Sequence, residues 1–174
     1  MNSTILSNIL RFVGLTLLQV LILKRMTIGS SDGFNYLQIM LYPVFLLLLP
    51  IKTPHALSVL LGFAIGILVD IFYGSLGVHA AASVLTGFVR PILLSYLEPK
   101  AGYGTNIAPT KSKLGIAWFL RYSSLLIFLH LFFYFSVDAF TFVYIVDILL
   151  KTIVSFIFTM VFVIVYQYLL EPKE

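Results

Sequence analysis

The sequence predicts an all-α, polytopic transmembrane bundle of six helices, and three observations predict it. First, 60% of the residues are hydrophobic and 10% are charged, whereas a soluble domain carries about a quarter charged residues. Second, apolar runs near the length of a membrane span recur along the chain. Third, polar and apolar residues do not alternate as a membrane β-barrel requires. The net charge of +4 is assigned to basic residues flanking the spans. No nucleic-acid partner is expected, because the chain has no soluble basic surface to hold one. There is no cysteine, which removes thiol chemistry and thiolate metal sites.

The chain is taken as a single integral membrane domain over residues 1–174. The first span covers about 5–23 and contains Arg11 and Gln19. Lys24 and Arg25 follow it where a secretory signal would carry small residues, so it is taken as a retained helix. A Gly- and Ser-rich turn leads to a short second span, about 34–49, in which Pro43 is expected to make a kink. The third span, about 56–72, and the fourth, about 76–97, are joined by the turn YGSLG. A polar loop from Glu98 to Lys113 precedes the fifth span, about 114–135, and SVDAFT leads to the sixth, about 142–170.

Six spans place both termini on one side. Loops on that side hold Lys52, Lys100, Lys111, Lys113 and Lys173, against Lys24 and Arg25 on the other, so the positive-inside rule makes the termini cytoplasmic. Tyr36, Tyr73, Tyr134 and Tyr144 are expected at the outer interface with the lipid bilayer, and Tyr96, Trp118, Tyr122 and Tyr168 at the inner one.

The rest is organised around Ser58 to Arg90. Ser58, Gly62, Gly66, Asp70 and Gly74 recur every fourth residue, a helical ridge of small or polar positions. In lipid, such a ridge is where a second helix backbone approaches closely. His79, Ser83, Thr86, Gly87 and Arg90 share one face of the next helix. Asp70 and His79 flank a short turn and are expected to pair structurally, fixing it. Arg11, Arg90 and Arg121 are expected to anchor at the inner headgroups; the sharper alternative has Arg90 facing inward and tying carbonyls of neighbouring helices. Asp147 and Lys151, four apart with Ser155 and Thr159 beyond them, suit an intrahelical ion pair. His130 is expected to be a hydrogen-bonded core histidine. No HExxH, Walker loop or Gly-x-Ser-x-Gly occurs, and His55, His79 and His130 lie on separate segments. No catalytic, metal or cofactor site is expected.

The stretch GFAIGILVDIFYGSLGVHAAASVLTGFVRP resembles the MreD family of bacterial rod shape-determining proteins. That family follows a Gly-rich hydrophobic segment ending in Asp with the pattern D-x-x-x-G-x-x-G-x-x-A. The matching residues are Gly62, Gly66, Asp70, Gly74, Gly77, His79 and Ala80. The resemblance implies a fold similar to the six-helix S-components of vitamin transporters. It also implies a non-enzymatic subunit of the cell-elongation machinery in the bacterial inner membrane. Such a subunit associates with an MreC-like single-span protein. Through it, the subunit meets an MreB-like filament, a RodA-like polymerase and a penicillin-binding transpeptidase that build peptidoglycan. The competing expectation is an S-component-like protein that binds a small nutrient.

Overall fold

Pro43 decides the least regular part of the chain. A proline lacks the N–H of a helix interior, collides with the carbonyl four residues before it, and pushes its predecessor towards extended backbone. In the computed structural model, which describes residues 3–26, 28–29, 35–75, 77–104, 107–141 and 143–169, no spanning helix forms over 34–49. A short antiparallel pair links β1 (Ile28–Gly29) to β2 (Asn35–Leu37). Residues 38–42 follow without regular structure. Pro43, at φ −65° and ψ −18°, then starts a single helical turn, α2 (Val44–Leu47). Pro50 comes too soon for a second turn. The expected kinked second helix is therefore corrected to a mostly non-helical passage.

Five helices surround this passage: α1 (Ser3–Leu21), α3 (His55–Tyr73), α4 (Val78–Tyr96), α6 (Ile116–Ala139) and α7 (Ile145–Leu169). Among the described residues these are the helices long and apolar enough to cross a membrane, α1 counting together with its 3₁₀ extension to Met26. The protein is thus an all-helical bundle with the character of a multi-pass membrane protein, with five candidate spans rather than six. A one-turn helix, α5 (Lys111–Leu114), lies in the loop before α6.

The passage runs antiparallel to α1. Gln19 meets Ile39 and Leu41, whereas Arg11, two turns earlier, meets Leu48. The passage thus runs back along about 12 Å of α1. From Leu37 to Leu49 every residue except Gln38 is buried. This placement follows from the solvent: irregular backbone at membrane depth is tolerated only where protein covers it and satisfies its polar groups.

Side chains of the surrounding helices supply those partners. The Gln19 amide donates to the Ile39 carbonyl at 3.0 Å and accepts from the Leu41 N–H at 2.8 Å. Ser155 and Thr159 accept from the N–H groups of Gln38 and Met40. Tyr122 donates to the Leu47 carbonyl at 3.1 Å. Arg90, wholly buried, donates to the carbonyls of Leu49 and Pro50. Arg90 is thus not a headgroup anchor. It ties carbonyls, but of the irregular passage rather than of neighbouring helices. Tyr122 and Tyr134 are buried in the core. The side chain of Tyr36, and Lys173, lie outside the described residues.

The polar loop packs across one end of the bundle. Tyr103 donates to the Leu94 carbonyl, Trp118 to that of Leu97, and the Ile51 N–H to that of Ile107. Desolvation, and then the nearby Glu98 carboxylate, push the Tyr103 hydroxyl up to about 12, so it remains a donor at neutral pH.

Replacing Gln19 by Leu leaves the Ile39 carbonyl and the Leu41 N–H without their partner, at about 1–3 kcal/mol for each orphaned group. Thermal unfolding in detergent is expected to show a clear fall in midpoint for Q19L. Leu17→Ala, at an exposed position of the same helix, is expected to change little.

Candidate functional site

The site predicted from sequence is the seam between α3 and α4 and the corner that joins them. Three glycines set the separation of the two helices. A Cβ on Gly62 would lie 2.5 Å from the Ser83 carbonyl oxygen, and one on Gly87 would lie 2.5 Å from that of Ser58. A Cβ on Gly66 would collide with the backbone of His79 and Ala80. Ser58, Gly62, Gly66 and Asp70 therefore face Gly87, Ser83, Ala80 and His79 in antiparallel register, and all are buried. Close approach lets dispersion contacts between backbones hold the pair where the hydrophobic effect offers nothing.

Gly74 and Gly77 do different work from the expected ridge. No heavy atom lies within 4 Å of a Cβ built on either. Gly74 ends α3 at φ 69°, and Gly77 opens α4 at φ 83°. Both adopt the left-handed conformation that glycine adopts without steric penalty. The ridge ends at Asp70, and the two glycines make the turn.

Asp70 is the keystone of that turn. Its side chain is 2% exposed. One carboxylate oxygen accepts from the Ser75 hydroxyl and, at 3.0 Å, from the His79 N–H. The other accepts from the Ala80 N–H at 2.9 Å. Gly77 has no side chain to cap α4, so Asp70 performs that role from the end of the preceding helix, where an anion also suits the helix dipole. His79 Nδ1 lies 3.0 Å from the same carboxylate, which puts its proton there. The rings of Tyr42, Tyr73 and Tyr134 surround the imidazole at centroid distances of 5.8, 4.7 and 4.7 Å. Its Nε2 is buried with no hydrogen-bond partner among the described residues.

A second buried network lies deeper. His130 bridges the Tyr42 hydroxyl at 2.9 Å and the Thr86 hydroxyl at 2.8 Å. It is a core histidine tied to the irregular passage on one side and to α4 on the other. Composition alone could not place it, because Tyr42 comes from the stretch expected to be an independent helix.

Asp147 and Lys151 do not form the expected ion pair: among the described residues the contact within ion-pair distance is that of the Asp70 carboxylate with the His79 imidazole. Ser155 and Thr159, from the same row, turn inward to the irregular passage. Asp147 and Lys151 instead line a cleft of about 410 Å³ between α6 and α7, with Phe135, Asp138 and Tyr144. No group of three or more His, Cys, Asp or Glu side chains among the described residues is arranged to hold a metal ion.

Comparison with protein-family models, with curated proteins and with solved structures finds no match to this chain.

Asp70→Ala orphans two backbone N–H groups and a hydroxyl, at about 1–3 kcal/mol each. It is expected to abolish or severely lower the cooperative melting transition in detergent, with Asp70→Asn intermediate. Gly66→Leu is expected to do the same by forcing the two helices apart. Gly14→Leu, at a position whose Cβ would meet nothing within 4 Å, is expected to leave the melt unchanged.

Proposed function

We propose that this protein is a non-enzymatic scaffold of the MreD kind in the bacterial inner membrane. In this reading it holds an MreC-like single-span protein and, through it, the filament, polymerase and transpeptidase that extend the lateral cell wall. Both termini are cytoplasmic. The observation that carries the reading concerns the motif on which the resemblance rests. Gly62, Gly66, Asp70, Gly74, Gly77, His79 and Ala80 are all engaged in packing, capping or turning the α3–α4 corner. A motif built wholly into architecture suits a protein whose task is to present a fixed surface. The basic end of the bundle, with Lys52, Lys100, Lys111 and Lys113, suits the cytoplasmic side.

One observation favours a second reading, a nutrient-binding protein similar to the S-components. The cleft of Asp138, Asp147 and Lys151 combines both signs of charge with aromatic walls at the end of the bundle opposite the basic loops. Polar groups converging in an apolar pocket are what a small ligand requires.

Co-expression with an MreC-like partner, followed by affinity purification in detergent, separates the two. The scaffold reading expects a stable complex, lost with Gly66→Leu, and rounding of rod-shaped cells that depend on that variant. A monodisperse monomer that never retains the partner removes it. A rise in melting temperature with one vitamin of a screened set would install the nutrient reading in its place.

A further inference from the structure

α1 is the helix least covered by the rest of the protein. Between it and α7 lies a cleft of about 290 Å³ lined by Leu10, Arg11, Gly14, Leu15, Leu18 and Tyr166. Its floor is a notch made by Gly14, where an added Cβ would meet no heavy atom within 4 Å. The walls are apolar apart from the Arg11 guanidinium and the Tyr166 hydroxyl. Arg11 is half-buried, and its one hydrogen bond, to the Leu48 carbonyl, is long at 3.4 Å. A guanidinium carries five N–H donors, and no carboxylate lies within ion-pair distance of this one among the described residues.

The depth of the cleft fits a headgroup. Arg11 lies eight residues into α1, about 12 Å from its start. Tyr166, across the cleft, lies three residues before the end of α7, about 4.5 Å from it. Arg11 is thus level with the last turn of α7, within reach of the bilayer surface by extension of its side chain. The same end of the bundle carries Lys52, Lys100, Lys111, Lys113 and Arg121, with Glu98 as the acid among the described residues. An unpaired cation above an apolar channel, at a basic end, is complementary to one kind of occupant.

We propose that the α1–α7 cleft is a binding site for an anionic phospholipid, its phosphate on the Arg11 guanidinium and one acyl chain in the notch at Gly14. Bidentate guanidinium–phosphate bonding supplies the headgroup contact. The missing side chain of Gly14 lets the chain lie against the α1 backbone. The site is independent of the scaffold reading and holds or fails whatever the protein's partners are.

Native mass spectrometry of the purified full chain in neutral detergent tests this, titrating chain-matched phosphatidylglycerol and phosphatidylcholine. Phosphatidylglycerol is expected to bind about tenfold more tightly, because phosphatidylcholine carries the same phosphate beside a quaternary ammonium that cancels its net charge and is repelled by Arg11. Arg11→Gln is expected to erase that preference, and Arg121→Gln, exposed on α6, to leave it. Gly14→Leu, which fills the notch without touching the packing, is expected to weaken both lipids. Equal binding of the two lipids by the wild type, an unchanged preference in R11Q, or an equal loss in R121Q would each overturn the site. So would displacement of bound phosphatidylglycerol by inorganic phosphate. Because the chain has no cysteine, Gly14→Cys offers a single attachment point. Its crosslinking to a second polypeptide in membranes would assign the cleft to a protein helix instead.

Discussion

A hydrocarbon environment offers no hydrogen bonds, and the stretch from Gln38 to Pro50 supplies only part of its own: the N–H groups of Val44 to Leu49 bond back within it, while those of Gln38, Met40, Leu41 and Tyr42 and the carbonyls of Ile39 and Leu47 to Pro50 turn to other elements. That constraint explains more of this molecule than any other. A helix satisfies its backbone internally and can face lipid on any side. A passage broken by Pro43 and Pro50 can do neither, so it must sit inside a ring of helices that carry donors and acceptors at the right levels. Gln19, Tyr122, Ser155, Thr159 and Arg90 are those donors and acceptors. They come from α1, α4, α6 and α7, so one interior strip of chain ties four of the five long helices together.

The α3–α4 pair solves a different problem by different means. It has no irregular backbone to cover. Its stability comes from distance: three glycines allow main chain to lie against main chain, and a carboxylate closes the corner. The two devices meet at His79 and His130. Tyr42, from the irregular passage, packs on the first imidazole and bonds the second, so the rigid pair also positions the strip that crosses beside it. Among the described residues, His79 Nε2 and the Nε and Nη1 of Arg90 have no hydrogen-bond partner, a cost that the rest of the packed framework offsets.

Local signals in the chain carry part of this. The glycine ridge from Ser58 to Asp70 and its antiparallel face on α4 follow from four-residue spacing alone, and the structure places them together. The Asp70–His79 contact follows from the shortness of the turn. Gly74 continues the four-residue spacing but belongs to the YGSLG turn in which the sequence also places it: its left-handed backbone ends α3, and the ridge with it. The failure over 34–49 has a physical cause. Hydropathy measures how well side chains suit lipid, and this segment is apolar enough. It says nothing about whether the backbone between two prolines can close its own hydrogen bonds. Once that segment is taken for a helix, Gln19, Ser155 and Thr159 have no purpose, and Arg90 is assigned to the membrane surface. The Asp147–Lys151 pairing fails for a second reason: four-residue spacing permits a contact but does not oblige two side chains that can each turn to an open cleft.

The buried passage also bears on biogenesis. Helices such as α3 and α7 can enter the bilayer one at a time, each stable before its neighbours arrive. Residues 38–50 have no such option. Released into lipid early, they would expose bare peptide groups to an oily phase; held in the aqueous pore of the insertion machinery, they would expose ten large apolar side chains to water. Their placement must wait until α4, α6 and α7, all synthesised later, have arrived. Folding of this passage is therefore governed by when α7 is delivered, not by when α1 is made.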